Sequence, residues 1–325
     1  MANIKRIAVL TSGGDAPGMN AAIRGIVRCA TNSGIEVLGI YDGYDGLIKG
    51  DLINLDNRSV SNIIQKGGTI LRTSRCPDFL EYSYRKKAYN VLKAYGISSL
   101  VVIGGNGSLA GMNQFSKDFN ITCVGIPGTI DNDLAYTDFT LGFDTAVNTV
   151  VSAINNIRDT MTAHNRACII EVMGRHCGDI ALYSGISGGA EIILVPELQL
   201  NIDEISDTIE MYRIKGKNSA IIILAEGVCS CNELKEEILK RNSNFQIRTV
   251  KLGYLQRGGM PSMFDRVFAC RCADKAIEII NRNSYENKVV GVKDNKIIEL
   301  DTDNALKCNR VFDVELYNIS KKISN

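Results

Sequence analysis

Short apolar strands alternate with helical patterns along almost the whole chain. Residues 100–103 and 220–224 are apolar at successive positions, which is typical of strands that are buried on both faces. Apolar residues at i, i+3, i+4 and i+7 spacing, sustained over 143–161, predict a long helix. Strands that are joined by crossover helices form parallel sheets with right-handed connections. The sequence therefore predicts an α/β fold of doubly wound, largely parallel sheets.

The chain length and its charge balance narrow the class of protein. The 325 residues are enough for two domains, and the long helix leads the chain into the second one. With 37 basic and 36 acidic side chains, and without a basic block, a nucleic-acid partner is not expected. No apolar run approaches the roughly 18–20 residues of a membrane-spanning helix. The apolar run near the start of the chain is too short for the core of a signal peptide, so export is not expected.

The ten cysteines do not predict a metal site or a disulfide framework. They are scattered, and the two close pairs have Cys-x-Cys spacing without a nearby histidine, which is not the spacing of a zinc knuckle. We expect reduced, structural cysteines in a cytoplasmic protein.

A glycine-rich segment follows the strand predicted at 99–103. Residues 104–108 read Gly-Gly-Asn-Gly-Ser and open a helix, so backbone N–H groups could reach an anion at the helix N-terminus. The alternative interpretation is a tight strand–helix turn that binds no ligand, because such a turn would use the same residues. A dinucleotide site needs an acidic residue at the end of the next strand, but that strand ends in Gly-Ile-Pro-Gly at 125–128. A nicotinamide cofactor is therefore not expected, and no P-loop motif occurs.

The segment 129–133, Thr-Ile-Asp-Asn-Asp, follows the next strand. If this segment is extended, Thr129, Asp131 and Asp133 point to the same side. One carboxylate could then accept a proton while the other holds a metal ion, directly or through water. A polar turn that caps a helix is the alternative interpretation.

Several arginines lie beside glycines or strand ends. Each alone is compatible with a solvated surface charge, but guanidinium groups bind phosphate through two charge-assisted bonds. Combined with a glycine loop and two carboxylates, they predict phosphoryl transfer between anionic substrates. The arginines are Arg75, Arg166, Arg175, Arg248 and Arg257.

Five segments in the same order resemble a known family. They are residues 13–20, 104–108, 127–133, 171–175 and 256–259. Through them the chain resembles the bacterial ATP-dependent 6-phosphofructokinases, phosphofructokinase family A, from near the first strand to the C-terminus. The resemblance implies two doubly wound α/β domains with the active site in the cleft between them. An ATP-binding domain would comprise 1–141 and about 256–306, and a sugar-phosphate-binding domain 142–255 and about 307–325.

The resemblance also implies a reaction. A phosphoryl group would pass from MgATP to the 1-hydroxyl of fructose 6-phosphate, giving fructose 1,6-bisphosphate and ADP in glycolysis. Asp131 would take the hydroxyl proton, Asp133 would position substrate and metal, and Thr129 would bond the transferred group. Arg75 and Arg175 would neutralise the charge that develops on that group. Mg²⁺ would be held, together with ATP, by Asn106 and by Asp133, the latter directly or through water.

Three sets of binding residues follow from the resemblance. The ATP site would comprise Gly14, Tyr44, Arg75, Cys76, Gly105, Asn106, Gly107, Ser108 and Gly111. The sugar-phosphate site would comprise Thr129, Asp131, Arg166, Met173, Gly174, Arg175, Glu226, Arg248, Tyr254 and Arg257, with Arg166 and Arg248 coming from a neighbouring subunit of a homotetramer. A regulatory site for ADP or phosphoenolpyruvate would comprise Arg24, Arg28, Arg158, Glu191, Lys215 and Lys217.

Three positions depart from the family pattern. Asn106 stands where an aspartate that helps to hold Mg²⁺ is usual, and Tyr254 where the sugar site usually has histidine. At the regulatory site, Asn57 stands where a basic residue is common, and Asn218 follows Lys217 where further basic residues are usual. The first two departures keep a second hypothesis open, a catalytically weak regulatory paralogue that binds nucleotide and sugar phosphate. The third predicts weak binding of phosphorylated effectors.

Two glycines bear on the phosphoryl donor. Pyrophosphate-using relatives carry a bulkier aspartate and a lysine where this chain has Gly107 and Gly128. Those side chains would intrude on the space that the α-phosphate and nucleoside of ATP need, whereas glycine leaves it open. The sequence therefore predicts ATP as the donor.

Overall fold

A computed structural model describes residues 5–217, 219–243 and 245–324. The first residue of the strand predicted at 4–10 and the effector-site departure Asn218 lie outside the described residues. The chain divides into two compact units. The first unit comprises Met1–Thr145 and Arg257–Arg310, and the second unit comprises Ala146–Gln256 and Val311–Asn325.

The strands alternate with helices as the sequence predicts. The strands are β1 (Arg6–Ser12), β2 (Glu36–Ile40), β3 (Leu52–Leu55), β4 (Ile97–Gly104), β5 (Thr122–Pro127), β6 (Ala167–Val172), β7 (Ile192–Leu194), β8 (Ala220–Ala225), β9 (Ile247–Lys251), β10 (Asn287–Lys293) and β11 (Lys296–Asp301). The helices are α1 (Met19–Asn32), α2 (Gly43–Lys49), α3 (Tyr82–Ala94), α4 (Asn106–Phe119), α5 (Phe143–Ala163), α6 (Asp179–Ser187), α7 (Ile202–Ile214), α8 (Cys231–Arg241), α9 (Met263–Asn281), α10 (Thr302–Leu306) and α11 (Val314–Ile323).

Both units are built on parallel sheets. In the first unit the strand order is β11-β10-β5-β4-β1-β2-β3, in which β2, β1, β4, β5 and β10 are parallel neighbours. Antiparallel strands β3 and β11 form the two edges. In the second unit the order is β7-β8-β6-β9, and every pairing is parallel. The predicted fold class is confirmed, and the antiparallel edge strands add to it.

The central strands form the core of each sheet because helices cover both faces. In β4, residues Leu100 to Ile103 have no exposed surface, and the same holds for Ile222 to Leu224 in β8. Successive apolar residues are therefore both buried, as the unbroken apolar runs predict. None of the described helices is long and apolar enough to cross a membrane.

The buried side chain of Asp265 anchors the start of α5 in the first unit. The buried carboxylate of Asp265 accepts the N–H groups of Gly142 and Thr145 at 2.8 and 2.9 Å. Gly142 has a φ of 102°, and a Cβ there would lie 2.7 Å from Ala16. Glycine is required at this turn because both the conformation and the space exclude a side chain.

One predicted helix is wrong. The sequence predicts a helix over residues 59–66, but these residues form a series of turns. The Asp56 side chain accepts the N–H groups of Arg58 and Ser59 at 2.9 and 2.7 Å, and Asn62 adopts a φ of 56°. Side-chain acceptors of this kind compete with the helical hydrogen-bond pattern, and a left-handed residue interrupts it.

Candidate active site

The carboxyl ends of three adjacent strands meet at one edge of the first unit's sheet. β5, β4 and β1 are neighbours and parallel, and ligands bind outside this edge in open α/β sheets. A cavity of about 510 Å³ lies there, which is in the size range of small-molecule sites. The loops after these strands line it, together with α2, the first turn of α4 and a 3₁₀ turn at Pro77–Leu80.

This cavity brings together all the residues predicted for the ATP site. Those lining it are Gly14, Tyr44, Arg75, Cys76, Gly105, Asn106, Gly107, Ser108 and Gly111. Four more predicted residues lie on the same wall, namely Thr129, Asp131, Asp133 and Arg257. Sequence reasoning missed the apolar side, which is formed by Pro77, Phe79 and Leu80.

The glycine loop leaves the first N–H groups of α4 open to the cavity. α4 begins at Asn106, and Gly105 at the N-cap position has no side chain to cap it. A Cβ on Gly104 would lie 2.6 Å from the Ser12 carbonyl oxygen, whereas a Cβ on Gly107 would meet no atom within 4 Å. Gly104 is therefore needed for packing, and Gly107 faces open space. Uncapped N–H groups at a helix start are a binding site for anions such as phosphate.

The segment 129–133 is held in place by two neighbouring polar side chains. Asn132 Oδ1 accepts the Thr140 N–H at 2.9 Å, and the Thr140 hydroxyl donates to the Thr129 carbonyl at 2.6 Å. Asn132 has a φ of 51°, so the segment is not extended throughout as expected. Thr129, Asp131 and Asp133 nevertheless all line the cavity. The Thr129 hydroxyl accepts the Asp131 N–H at 3.2 Å.

Asp133 is the residue best suited to hold a divalent ion. Its Oδ2 accepts a hydrogen bond from Asn106 Nδ2 at 3.0 Å. Its Oδ1 is buried and has no hydrogen-bond partner among the described residues. Buried carboxylate oxygens are normally satisfied, and Mg²⁺ is bound by one or two carboxylates together with substrate phosphates. The residues present therefore fit Mg²⁺ bound with a nucleotide triphosphate. Among the described residues, no cluster of three metal-ligating side chains offers a site without such a substrate.

Aromatic rings also line the cavity. Tyr44 stacks on Phe79 with ring centroids 3.9 Å apart, and its hydroxyl donates to the Ser108 carbonyl at 2.6 Å. Burial raises the pKa of Tyr44 well above its ordinary value, so the hydroxyl remains a donor at neutral pH. A Cβ on Gly111 would lie 3.4 and 3.5 Å from Phe79 and Tyr44. Because Gly111 has no side chain, space remains beside these rings in which a flat nucleobase could bind.

Arg85 fixes the 3₁₀ turn that carries Phe79. The guanidinium is buried, and Nη1 donates to the carbonyls of Phe79 and Leu80 at 3.0 and 2.5 Å. Nε pairs with Asp118 Oδ2 at 2.6 Å, and both side chains are largely shielded from solvent. This ion pair connects α3, α4 and the turn, and so supports the aromatic wall of the cavity.

Arg85→Met is expected to destabilise the protein by about 3–5 kcal/mol, because it leaves the shielded Asp118 carboxylate without its cationic partner, with the Gln114 amide as its remaining side-chain donor. Two carbonyl groups also lose their donor. Urea unfolding, compared with the exposed control Lys87→Met on the same helix, measures the difference. A loss below about 1 kcal/mol would mean that water or another residue replaces Arg85.

A second group of predicted site residues lies at the carboxyl end of β6 in the second unit. Met173, Gly174 and Arg175 follow this strand, and the Met173 N–H donates to Gln256 Oε1 at 3.0 Å. Glu226 follows β8, and its N–H donates to the Val172 carbonyl at 2.9 Å. The structure therefore places these four predicted sugar residues close together in the chain's second unit.

Arg166 and Arg248 lie at the other end of β6. Arg166 directly precedes β6, and Arg248 pairs with Cys168 across the parallel β6–β9 ladder. Arg166 Nε donates to Gln246 Oε1 at 3.1 Å. Seven residues separate Arg166 from Met173, which is about 23 Å along a strand. The distance between Arg166 and Met173 exceeds the length of a hexose phosphate. One molecule of the sugar phosphate therefore cannot contact both residues of the same chain.

The remaining predicted residues fall into separate places. Tyr254 lies on a 3₁₀ turn, Gly253–Gln256, and is 84% exposed. Arg158 Nη1 and Lys217 Nζ both pair with Glu191 Oε1, at 3.2 and 2.9 Å, so three of the regulatory residues are in contact in the second unit. Lys215 is the C-cap residue of α7 in the same unit, and Arg24 and Arg28 lie on α1 of the first unit.

Comparisons with known proteins agree with the fold. A sequence model of the family described as phosphofructokinase matches residues 6–280. The ATP-dependent 6-phosphofructokinases of Clostridium acetobutylicum and Clostridium botulinum are 53% and 52% identical to the chain over 321 residues, which covers 99% of this chain and 100% of each relative. A solved phosphofructokinase from Saccharomyces cerevisiae superposes with a TM-score of 0.90 at 31% identity. That match covers 98% of this chain and 48% of the yeast chain, so the chain spans about half the yeast chain's length.

The strand ends, the open helix N-terminus and the paired carboxylates define a phosphoryl-transfer class of α/β protein. The comparisons identify the family more specifically, because the family model matches residues 6–280 and the relatives are 52–53% identical over 99% of the chain. The chain belongs to the phosphofructokinase family, and the resemblance inferred from its five motifs is confirmed.

Proposed function

We propose that this chain is an ATP-dependent 6-phosphofructokinase that transfers a phosphoryl group from MgATP to the 1-hydroxyl of fructose 6-phosphate. The observation that carries the proposal is a single cavity where the open N-terminus of α4 faces Thr129, Asp131 and Asp133. Full-length identity to two enzymes of that name favours catalysis over a weak regulatory paralogue. The products are fructose 1,6-bisphosphate and ADP, as in glycolysis.

The residues of the cavity divide the chemistry among them. The α4 N–H groups and Arg75 bind the phosphates, while Tyr44 and Phe79 border the space for the base. Asp131 accepts the proton of the attacking hydroxyl, which is the role of a general base. Thr129 bonds the transferred group. Arg175, which follows β6 and is not among the residues that line this cavity, is proposed to stabilise the charge that develops on the group. Mg²⁺, held with ATP by Asp133, supplies further neutralisation of the phosphate charge.

The sugar phosphate is proposed to bind three groups of predicted residues. Met173, Gly174, Glu226 and Arg257 would hold the sugar, and Tyr254 would replace the usual histidine. Arg166 and Arg248 would bind the 6-phosphate. Arg166 lies about 23 Å along β6 from Met173. Arg248 pairs with Cys168, which lies about 16 Å along β6 from Met173. We therefore propose that a second copy of the chain supplies both arginines, in a homotetramer.

The donor is proposed to be ATP, with kcat/KM at least about 100-fold higher than for pyrophosphate, because the nucleoside adds binding energy that pyrophosphate lacks. Gly107 faces open space, and a Cβ on Gly128 would lie 2.8 Å from Ile103 Cγ2. Gly107→Asp should therefore lower kcat/KM for ATP by at least about 10-fold, through steric and charge repulsion of the phosphates. Gly107→Ala is the matched control and should stay near the wild-type value, since its methyl group meets no atom within 4 Å. Comparable rates with both donors would contradict the assignment.

We also propose a regulatory site and a cellular location. A site for ADP or phosphoenolpyruvate would use Arg158 and Lys217, but Glu191 already pairs with both. An anion must therefore compete with a buried carboxylate, and we expect weak binding of phosphorylated effectors. All ten cysteines are free, as a reducing compartment allows, and we propose that the enzyme acts in the cytoplasm.

A further inference from the structure

We propose that Asn106 is a positioning residue that acts through Asp133, and is not itself a ligand of the metal ion. This inference rests on the proposed function, because the metal is the one that accompanies ATP. It replaces the expectation that Asn106 contributes a weak oxygen ligand.

The hydrogen-bond geometry carries the proposal. Asn106 Nδ2 lies 3.0 Å from Asp133 Oδ2 and 3.4 Å from the Asp133 carbonyl oxygen. An amide nitrogen that donates to two oxygens of one residue fixes that residue in place, but it cannot bind a cation. Asp133 Oδ1 is left as the buried oxygen without a partner among the described residues. The donor thus occupies one carboxylate oxygen and leaves the other for the ion, as residues behind metal ligands commonly do.

The usual aspartate could not play this part. The side chain of an aspartate at 106 has no N–H group to donate. Its carboxylate would lie about 3 Å from that of Asp133, a like-charge contact that needs a cation between the two. Asn106 keeps Asp133 oriented before the ion arrives. We therefore expect Asn106→Asp to bind a divalent ion more tightly, by at least about 5-fold, through the added charge. Asn106→Ala should bind it more weakly by about 10-fold, the typical loss for a residue that orients a ligand.

A double-mutant cycle on the full-length protein separates the two roles. The affinity for Mn²⁺ is measured by the electron paramagnetic resonance of free Mn²⁺, with a non-hydrolysable ATP analogue at the same concentration as the protein. A titration of the analogue without protein is the reference. The proteins are the wild type, Asn106→Ala, Asp133→Ala and the double variant. Gln114→Ala, which removes an exposed amide from the same helix, is the control and should leave the affinity unchanged. Melting temperatures verify that each variant is folded.

If Asn106 acts through Asp133, Asn106→Ala weakens Mn²⁺ binding about 10-fold in the wild type and less than about 2-fold in the Asp133→Ala protein. An equal loss in both backgrounds would overturn the proposal and make Asn106 an independent ligand. Weaker binding by Asn106→Asp than by Asn106→Ala would also overturn it. If the analogue does not bind to the wild type, the proposed function fails. If the analogue binds but Asn106→Ala leaves the Mn²⁺ affinity unchanged, only the role of Asn106 is overturned.

Discussion

Replacing Asp131 by serine is expected to lower kcat by at least about 100-fold, the low end of the contribution of a positioned general base. KM should change less, because serine preserves a polar group that can bond the substrate hydroxyl. Steady-state kinetics with MgATP and fructose 6-phosphate measure both parameters. Asp138→Ser, an exposed acid seven residues further along the chain, is the matched control and should retain nearly full activity. A near-normal kcat in Asp131→Ser would remove this residue from the role of base.

Mixing two inactive variants is expected to restore activity if neighbouring subunits share each site. Asp131→Ser lacks the base, and Arg248→Ser lacks the 6-phosphate contact. In randomly mixed tetramers, half of the sites receive an intact Asp131, and half of those receive an intact Arg248 from the neighbour. About a quarter of the sites are then complete, which follows from the symmetry of a shared interface.

The control for this experiment uses two residues of the same cavity. Asp131 and Arg257 both line the cavity of the first unit, so mixing Asp131→Ser with Arg257→Ser should restore no activity. Co-expression, followed by assays at low fructose 6-phosphate, gives the recovered fraction, and light scattering gives the oligomeric state. An active monomer, or no recovery with Arg248→Ser, would contradict the shared site.

The fold was predictable because its signals are local in the sequence. Unbroken apolar runs such as 100–103 mark strands that are buried on both faces, and the period over 143–161 matches α5, Phe143–Ala163. The period misled at 59–66, where Val60 and Ile63 are buried in turns. Apolar residues at helical spacing, such as Val60 and Ile63, show only that their side chains face the core, and turns can achieve the same burial. Here the Asp56 side chain satisfies the backbone N–H groups that a helix would otherwise have used.

The site was predictable where its residues follow strand ends within one motif. The glycine loop and the segment 129–133 meet at the cavity because β4 and β5 are adjacent and parallel. The contribution of Arg85 was not predictable, since its partners are carbonyls five and six residues earlier and a carboxylate 33 residues later. The contact from Asn106 to Asp133 spans 27 residues. Spacing does not encode such contacts, because they depend on how separate elements pack.

The most direct test of the account is the rate at which the purified chain forms fructose 1,6-bisphosphate from MgATP and fructose 6-phosphate. A coupled assay that detects this product, with magnesium in excess, gives the turnover number. If the chain is a 6-phosphofructokinase, we expect a turnover number of about 1–100 s⁻¹, the usual range for kinases that transfer a phosphoryl group. Calorimetry on the same preparation gives binding of ATP and fructose 6-phosphate. Tight binding of both substrates with turnover below about 0.01 s⁻¹ would contradict the account, and would identify the chain as a regulatory paralogue.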